Sequence, residues 1–497
     1  MAGKKHYVAF DLGAESGRAV LGSLSGSKLV LDEKHRFANA PVFMNGHLHW
    51  NLPSLWAELK LGLRKAAGVD AGKRPLTLAG VGVDTWGVDF GLVAANGELL
   101  GLPVCYRDSR TDGMMPAVFK KVPREDVFGA TGIQLMQLNT LFQLYSMTQA
   151  NSPLLDSAAR LLHMPDLFTY LFSGEMVHER SIASTSQMYD PRKKAWAKGL
   201  LDKLGIPTHF LGKIASTGSR AGRLRAEVAS ECGVEAPVLS TAGHDTAAAV
   251  AAVPAEGDAN WCYLSSGTWS LMGVELDEPI IDASSLAANY TNELGAGGKV
   301  RFLKNIIGLW LVQECRRQFA RDGAEYDYTQ LTRMAREARP FAAAIDTDHG
   351  EFLKPGDMPG KIARFCKSTK QKAPATPGEY VRTCLESLAL TYRRTLDGLE
   401  ALTGRKIEVI HIVGGGSQNE LLNQMAADAC HRRVVAGPVE ATAAGNILVQ
   451  AMATGDVASL AAARKIVRRS FPFKTYEPSQ SADWDKAYDR FCQVAGA

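Results

Sequence analysis

Three short runs of small residues in this chain, rich in glycine, two of them with hydroxyls and the first with carboxylates, are suited to holding phosphate. The first is Asp11-Leu12-Gly13-Ala14-Glu15-Ser16-Gly17-Arg18. Backbone N–H groups of a tight glycine turn form an anion-binding nest. Ser16 adds a hydroxyl donor, and Asp11 stands where it can hold Mg²⁺ through water, since magnesium usually keeps several waters. An ordinary glycine-rich hairpin has the same composition. Ser265-Ser266-Gly267-Thr268 offers this chemistry a second time. Gly414-Gly415-Gly416, after an apolar run, lets a flat ring or a phosphate approach the backbone, or simply makes a tight strand-to-helix turn. Three such turns, each expected on a strand, say more together than any one alone.

Two further runs bring proton chemistry. In Gly243-His244-Asp245-Thr246 the carboxylate stands just before an Ala-rich stretch. Asp is a favoured helix N-cap, and a carboxylate at that point also accepts a proton from a substrate hydroxyl. The two roles are compatible. Asp84-Thr85-Trp86-Gly87 sets a large ring and hydrogen-bonding groups at the end of an apolar run. The ring suits stacking under a sugar, although a buried core tryptophan is the commoner case.

These residues need strands and helices to carry them. Tyr7-Val8-Ala9-Phe10, a turn, and Arg18-Ala19-Val20-Leu21 predict a β-hairpin whose glycines take φ > 0. Trp261 to Met272 repeats that plan, strand, small-residue turn, strand, which suggests two similar halves. Leu78–Val83 and Val409–Val413 predict further strands; Leu138–Met147, Ala247–Val253 and Asn419–Cys430 predict helices. Alternating strands and helices give an α/β class. Pro254-Ala255-Glu256-Gly257-Asp258, polar and rich in breakers, is the expected domain boundary.

Composition narrows the function classes. The 497 residues carry 56 basic and 52 acidic side chains. That balance is too even to argue for a nucleic-acid or membrane partner. The uncharged stretch from Val127 to Leu155 is long enough to cross a bilayer, but its Gln and Asn residues are costly in lipid. No signal-peptide core follows Lys4-Lys5. The eight cysteines include no C-x-x-C pair, so reduced thiols in a cytoplasmic protein are expected. A P-loop, a Rossmann fingerprint, H-E-x-x-H and G-x-S-x-G are all missing.

The order Asp11-Leu12-Gly13, Gly243-His244-Asp245-Thr246, Ser266-Gly267-Thr268 and Gly414-Gly415-Gly416 resembles the FGGY carbohydrate kinases. The likeness runs from about Tyr7 to Gln450. It is most specific at Gly82 to Phe90, Leu102 to Arg110, Tyr263 to Gly273 and Leu303 to Leu311. Asp84-Thr85-Trp86-Gly87 is similar to the members that act on L-rhamnulose. The resemblance implies two domains, 1–253 and 258–497, each with an actin-like (ribonuclease-H-like) ATPase core, and a cleft between them. It implies ATP and Mg²⁺ as cofactors, a small ketose as the other partner, and phosphorylation of L-rhamnulose at the 1-hydroxyl. Another 6-deoxyketose such as L-fuculose, or a non-catalytic sensor on the same core, are the alternatives.

By the same resemblance Asp245 matches the general base. Gly87, His244, Asp245, Thr246 and Asn305 match sugar contacts. Ala14, Glu15, Ser16, Gly17, Arg18, Thr268, Gln313 and Gly415 match nucleotide contacts, with Asp11 toward the metal. Asn305 and Gln313 stand eight positions apart, about two turns, so on one helix they share a face. Glu15 stands where some relatives have serine. A carboxylate facing ATP is repelled, so its side chain is expected to point outward. The stretch Arg316–Pro377 matches less clearly, and no site is placed there.

Overall fold

A computed structural model describes residues 3–69, 74–256, 260–479 and 481–496. The chain forms two compact units. One comprises Met1–Pro254, Glu275–Phe302 and Ala441–Phe471; the other comprises Ala255–Val274, Leu303–Glu440 and Pro472–Ala497. Gly257 and Asp258, the end of the expected boundary, lie outside the described residues.

The first unit is built on a six-stranded sheet. Its order is Ser219–Arg223, Pro237–Ser240, Leu78–Thr85, Lys5–Leu12, Ser16–Ser25, Lys28–Ala38. Lys5–Leu12, Leu78–Thr85 and Pro237–Ser240 run parallel, and the N-terminal hairpin is antiparallel. Tyr7 to Phe10 are completely buried, as a parallel centre covered on both faces requires. On one face Phe10 stacks on Phe172 of helix Met164–Ser173, centroids 5.4 Å apart. On the other lies helix Ala441–Ala453, admitted by Gly80 and Gly82: a Cβ there would meet the Gln450 side chain at 2.7 and 2.8 Å. The hairpin turn corrects one expectation. Neither Gly13 nor Gly17 has positive φ. Gly17 is small because a Cβ would lie 2.3 Å from the Phe37 ring.

The second unit repeats the plan, as the two similar hairpins suggest. Trp261–Ser266 pairs antiparallel with Trp269–Leu276 and parallel with Val409–Val413, which continues to Arg433–Ala436 and the antiparallel Lys474–Tyr476. Helix Pro377–Thr403 starts at a capping box, Thr376 with Glu379, has proline in its first turn, and stops at left-handed Gly404. It packs against helix Glu420–Cys430, which is capped by the Asn419 side chain on Leu422 N–H.

The uncharged stretch from Val127 is divided among helices Arg124–Thr131, Thr140–Gln149 and Pro153–Ser157. Among the described residues no helix is long and apolar enough to cross a membrane. All eight cysteines are thiols, seven of them buried.

Candidate active site

In the first unit three strand ends converge. Asp11 stands next to the end of strand Lys5–Leu12, Asp84 and Thr85 close Leu78–Thr85, and the turn Gly243–His244 leads into helix Asp245–Ala251. Thr85 N–H donates to Gly243 O at 2.9 Å, which ties the Asp84-Thr85-Trp86-Gly87 run to the Asp245 turn. Asp11 and Arg18 face each other across the hairpin register and form an ion pair. Ala14 and Glu15 lie in the turn, and Ser16, Gly17 and Arg18 open the second strand. Asn39 braces that turn: its side-chain amide donates to Gly13 O at 2.8 Å, and its N–H donates to Glu15 O at 2.9 Å.

Asp245 is not the helix cap. His244 occupies that position, in extended conformation, and Asp245 is the first helical residue. Its Oδ1 accepts the N–H of Thr246 at 2.5 Å and the Thr246 hydroxyl at 3.2 Å. The carboxyl therefore quiets an orphan N–H of the first turn from inside the helix. Thr246 itself is buried.

Behind Asp245 stands a charged relay. Buried Arg301 donates to Glu293 Oε2 at 3.0 Å and faces His244 Nδ1 at 3.0 Å. His244 Nδ1 also lies 3.2 Å from Glu293 Oε2, and its Nε2 lies 3.4 Å from Asp245 Oδ1. Burial pushes the Asp245 carboxyl up, the His244 ring opposes that, and the Asp11 charge adds to it. Asp84 is completely buried, and burial followed by repulsion from Asp11 holds it well above the ordinary carboxylate range. Asn446 donates to Asp84 Oδ2 at 2.6 Å; Oδ1 has no partner.

Trp86 resolves as a core residue. It packs on Trp50 with centroids 4.2 Å apart, and both indole N–H groups donate to Asp89 Oδ2, at 3.0 and 2.7 Å. Gly87 leaves room for Thr185, whose Oγ1 lies 3.3 Å from where a Cβ would be. Val88 next to it has φ 68°. A β-branched residue in that region costs of order 1–3 kcal/mol. Thr185 Oγ1 accepts the Val88 N–H at 3.2 Å, and the Thr140 hydroxyl donates to Val88 O at 2.6 Å, which holds the strain in place.

In the second unit the expected nucleotide contacts assemble around the hairpin turn. Gln313 Nε2 donates to Thr268 Oγ1 at 3.3 Å, and Gln313 Oε1 has no partner. Gly414 is left-handed at φ 85°, and a Cβ on Gly416 would lie 2.0 Å from Ser266 Oγ, so the triple-glycine turn presses directly on the hairpin. Gly415 between them faces open space. Asn305 and Gln313 do not share a helix. Asn305 lies half-buried on strand Val300–Ile307, and Gln313 lies on helix Trp310–Arg321. Gly308 makes the corner, because a Cβ there would come 2.7 Å from Ser270 N.

Among the described residues one group has metal-ligand character, buried His163, Asp166 and His178. Gly212 N–H donates to His178 Nε2 at 3.0 Å. That fixes the ring proton on Nδ1, which leaves no lone pair for a cation.

Glu293, Arg301, Asn39 and Val88 were not anticipated from the sequence. Arg301 had a signal, a charge between apolar neighbours in strand Val300–Ile307. Val88 had none.

The chain matches two family descriptions. "FGGY family of carbohydrate kinases, N-terminal domain" covers residues 6–252, and the C-terminal domain of the same family covers 262–454. It is 43% identical to a rhamnulokinase from Bacteroides thetaiotaomicron over 98% of this chain and 99% of that one. It is 41% identical to a rhamnulokinase from Pectobacterium carotovorum over 98% and 96%. Among solved structures, its fold is similar to a gluconate kinase from Lactobacillus acidophilus with TM-score 0.81 at 15% identity, covering 99% of this chain and 98% of that one. A glycerol kinase from Plasmodium falciparum, solved with ADP, matches with TM-score 0.75 at 12% identity over 99% and 97%.

Proposed function

The chain belongs to the FGGY family of carbohydrate kinases, and from there we infer that it transfers the γ-phosphoryl group of ATP to the 1-hydroxyl of L-rhamnulose. The products are L-rhamnulose 1-phosphate and ADP. The observation that carries this reading is the near-full-length likeness to several rhamnulokinases at about 40% identity. The reading is of a cytoplasmic enzyme with two small-molecule partners, its domains 1–253 for sugar and 258–497 for nucleotide, the second lending segments Glu275–Phe302 and Ala441–Phe471 to the first compact unit.

Asp245 takes the proton of the 1-hydroxyl as general base. Burial raises the affinity of its carboxylate for a proton, which makes it a stronger base than an exposed aspartate. The His244 ring, with Nε2 3.4 Å from Oδ1, stands beside the carboxylate and favours its charged form. Gly87, His244, Thr246 and Asn305 serve as sugar contacts. Ala14, Glu15, Ser16, Gly17, Arg18, Thr268, Gln313 and Gly415 serve as nucleotide contacts. Open space at Gly415 and the unpaired Gln313 Oε1 support that assignment.

The carboxyls of Asp11 and Asp84 repel one another, and Asp84 Oδ1 has no partner. That donor set fits a hard dication, with Asp11 and Asp84 to hold Mg²⁺ through water. When bound with ATP, Mg²⁺ neutralises charge on the phosphates. Phosphoryl transfer has a loose transition state, so positioning and charge stabilisation supply most of the rate.

A coupled assay of ADP release over a ketose panel tests the substrate. L-Rhamnulose is expected to give the highest kcat/KM. A higher value with L-fuculose, L-ribulose, D-xylulose or glycerol overturns the assignment.

A further inference from the structure

The turn that presents Asp245 is held from behind by one carboxylate. Glu179, 1% exposed, caps helix Arg180–Ser184. Its Oε1 accepts Ser181 N–H at 2.8 Å and the Thr217 hydroxyl. Its Oε2 accepts Ile182 N–H at 3.0 Å, Ser181 Oγ–H at 2.5 Å and Gly243 N–H at 3.1 Å. Ser181 Oγ in turn accepts His244 N–H at 3.2 Å. Glu179 therefore fixes the two peptide N–H groups directly before Asp245, one directly and one through Ser181. The approach is close enough to dictate residue 243. A Cβ on Gly243 would lie 3.0 Å from Glu179 Oε2 and 3.1 Å from Pro165.

The other side of the same turn is held by Thr85 N–H on Gly243 O. The turn is thus clamped between the Asp84–Thr85 strand end and the Glu179 carboxylate. A short helix cap alone needs two acceptor contacts; this carboxylate takes five, and the fifth reaches 64 residues along the chain.

We propose that Glu179, with Ser181, is a positioning residue for phosphoryl transfer, holding the Gly243–His244 backbone so that Asp245 meets the sugar hydroxyl in reactive geometry. The proposal rests on the reading of Asp245 as general base. A misplacement of about 1 Å at a reacting group costs as much as 10²-fold in rate. The effect belongs in kcat, since the nucleotide contacts are carried elsewhere.

The test is a double-mutant cycle. Glu179→Ala is expected to lower kcat about 10- to 100-fold, with KM for ATP unchanged. Ser181→Ala, which leaves Glu179 in place, is expected to lower kcat severalfold in the same way. In an Asp245→Asn background neither change lowers the residual rate further, because the group it positions is gone. If Glu179→Ala does not fold, the Ser181→Ala cycle decides. Equal factors of loss in both backgrounds, or an unchanged kcat, overturn the proposal. An Asp245→Asn enzyme of near-normal activity overturns the general-base reading instead, and the two failures are told apart by which single variant is silent.

Discussion

Replacing Gly445 by alanine sets two magnitudes against each other. Gly445 lies inside helix Ala441–Ala453, where glycine is about 1 kcal/mol worse than alanine in an unobstructed helix. Here a Cβ would stand 1.7 Å from the carbonyl oxygen of Ala248, a backbone atom of helix Asp245–Ala251. Carbon–oxygen contacts settle near roughly 3.3 Å, so the two helices must part by roughly 1.5 Å. No rotamer relieves a backbone clash. Overpacking of this kind costs typically about 1–3 kcal/mol, occasionally more, which outweighs the gain in propensity. A backbone displacement of that size belongs at the upper end of the range, so the net expectation is a loss of about 2 kcal/mol in urea unfolding at constant m. Ala248 is one turn from Asp245, so the shift also reaches the carboxylate proposed as general base, and kcat is expected to fall at least about tenfold. Urea titration followed by circular dichroism reads the first effect; steady-state kinetics reads the second. A Gly445→Ala protein of raised stability and normal kcat would refute the claim that these helices touch backbone to backbone.

Two further outcomes follow from buried carboxyls. Burial pushes Asp89 up to about 6, although its hydrogen bonds from Trp50, Gln143, Trp86 and Tyr106 pull the other way. Near-ultraviolet circular dichroism of Trp50 and Trp86 is therefore expected to titrate with a midpoint near 6, and Asp89→Asn is expected to abolish that transition. Asp84 is raised well above the usual carboxylate value, so the stability it lends is present at low pH and lost as pH rises through its folded value. Without nucleotide or metal, Asp84→Asn is expected to gain in melting temperature relative to the parent as pH increases; a constant difference counts against a buried neutral carboxyl.

The fold was legible where local chemistry and tertiary need agreed. Both hairpins, the strands at Leu78 and Val409 and the helix at Asn419 stand within a few residues of their expected bounds. The failures are tertiary. Gly17 looked like a turn glycine, yet it is small because Phe37 from the next strand lies over it. Asn305 and Gln313 looked like one helical face, because nothing local announces that Gly308 must turn the chain under Ser270. Asp245 looked like a cap, and the true cap is the residue before it, because the extended His244 is needed to meet Arg301 and Glu293. The motifs of the candidate site are visible in the sequence as strings of hydroxyls, glycines and carboxylates. Their supports are not: Glu179, Arg301 and Asn39 reach the site across long stretches of sequence, and only the fold brings them there.

The most direct measurement is kcat of Asp245→Asn with ATP and L-rhamnulose, taken beside its urea unfolding curve. The asparagine side-chain oxygen still accepts the Thr246 N–H, so stability should stay within about 1 kcal/mol of the parent. The amide cannot take the hydroxyl proton, and kcat should fall by at least about a hundredfold. A folded Asp245→Asn enzyme that phosphorylates L-rhamnulose at near-parental rate would contradict the assignment of Asp245 as the general base.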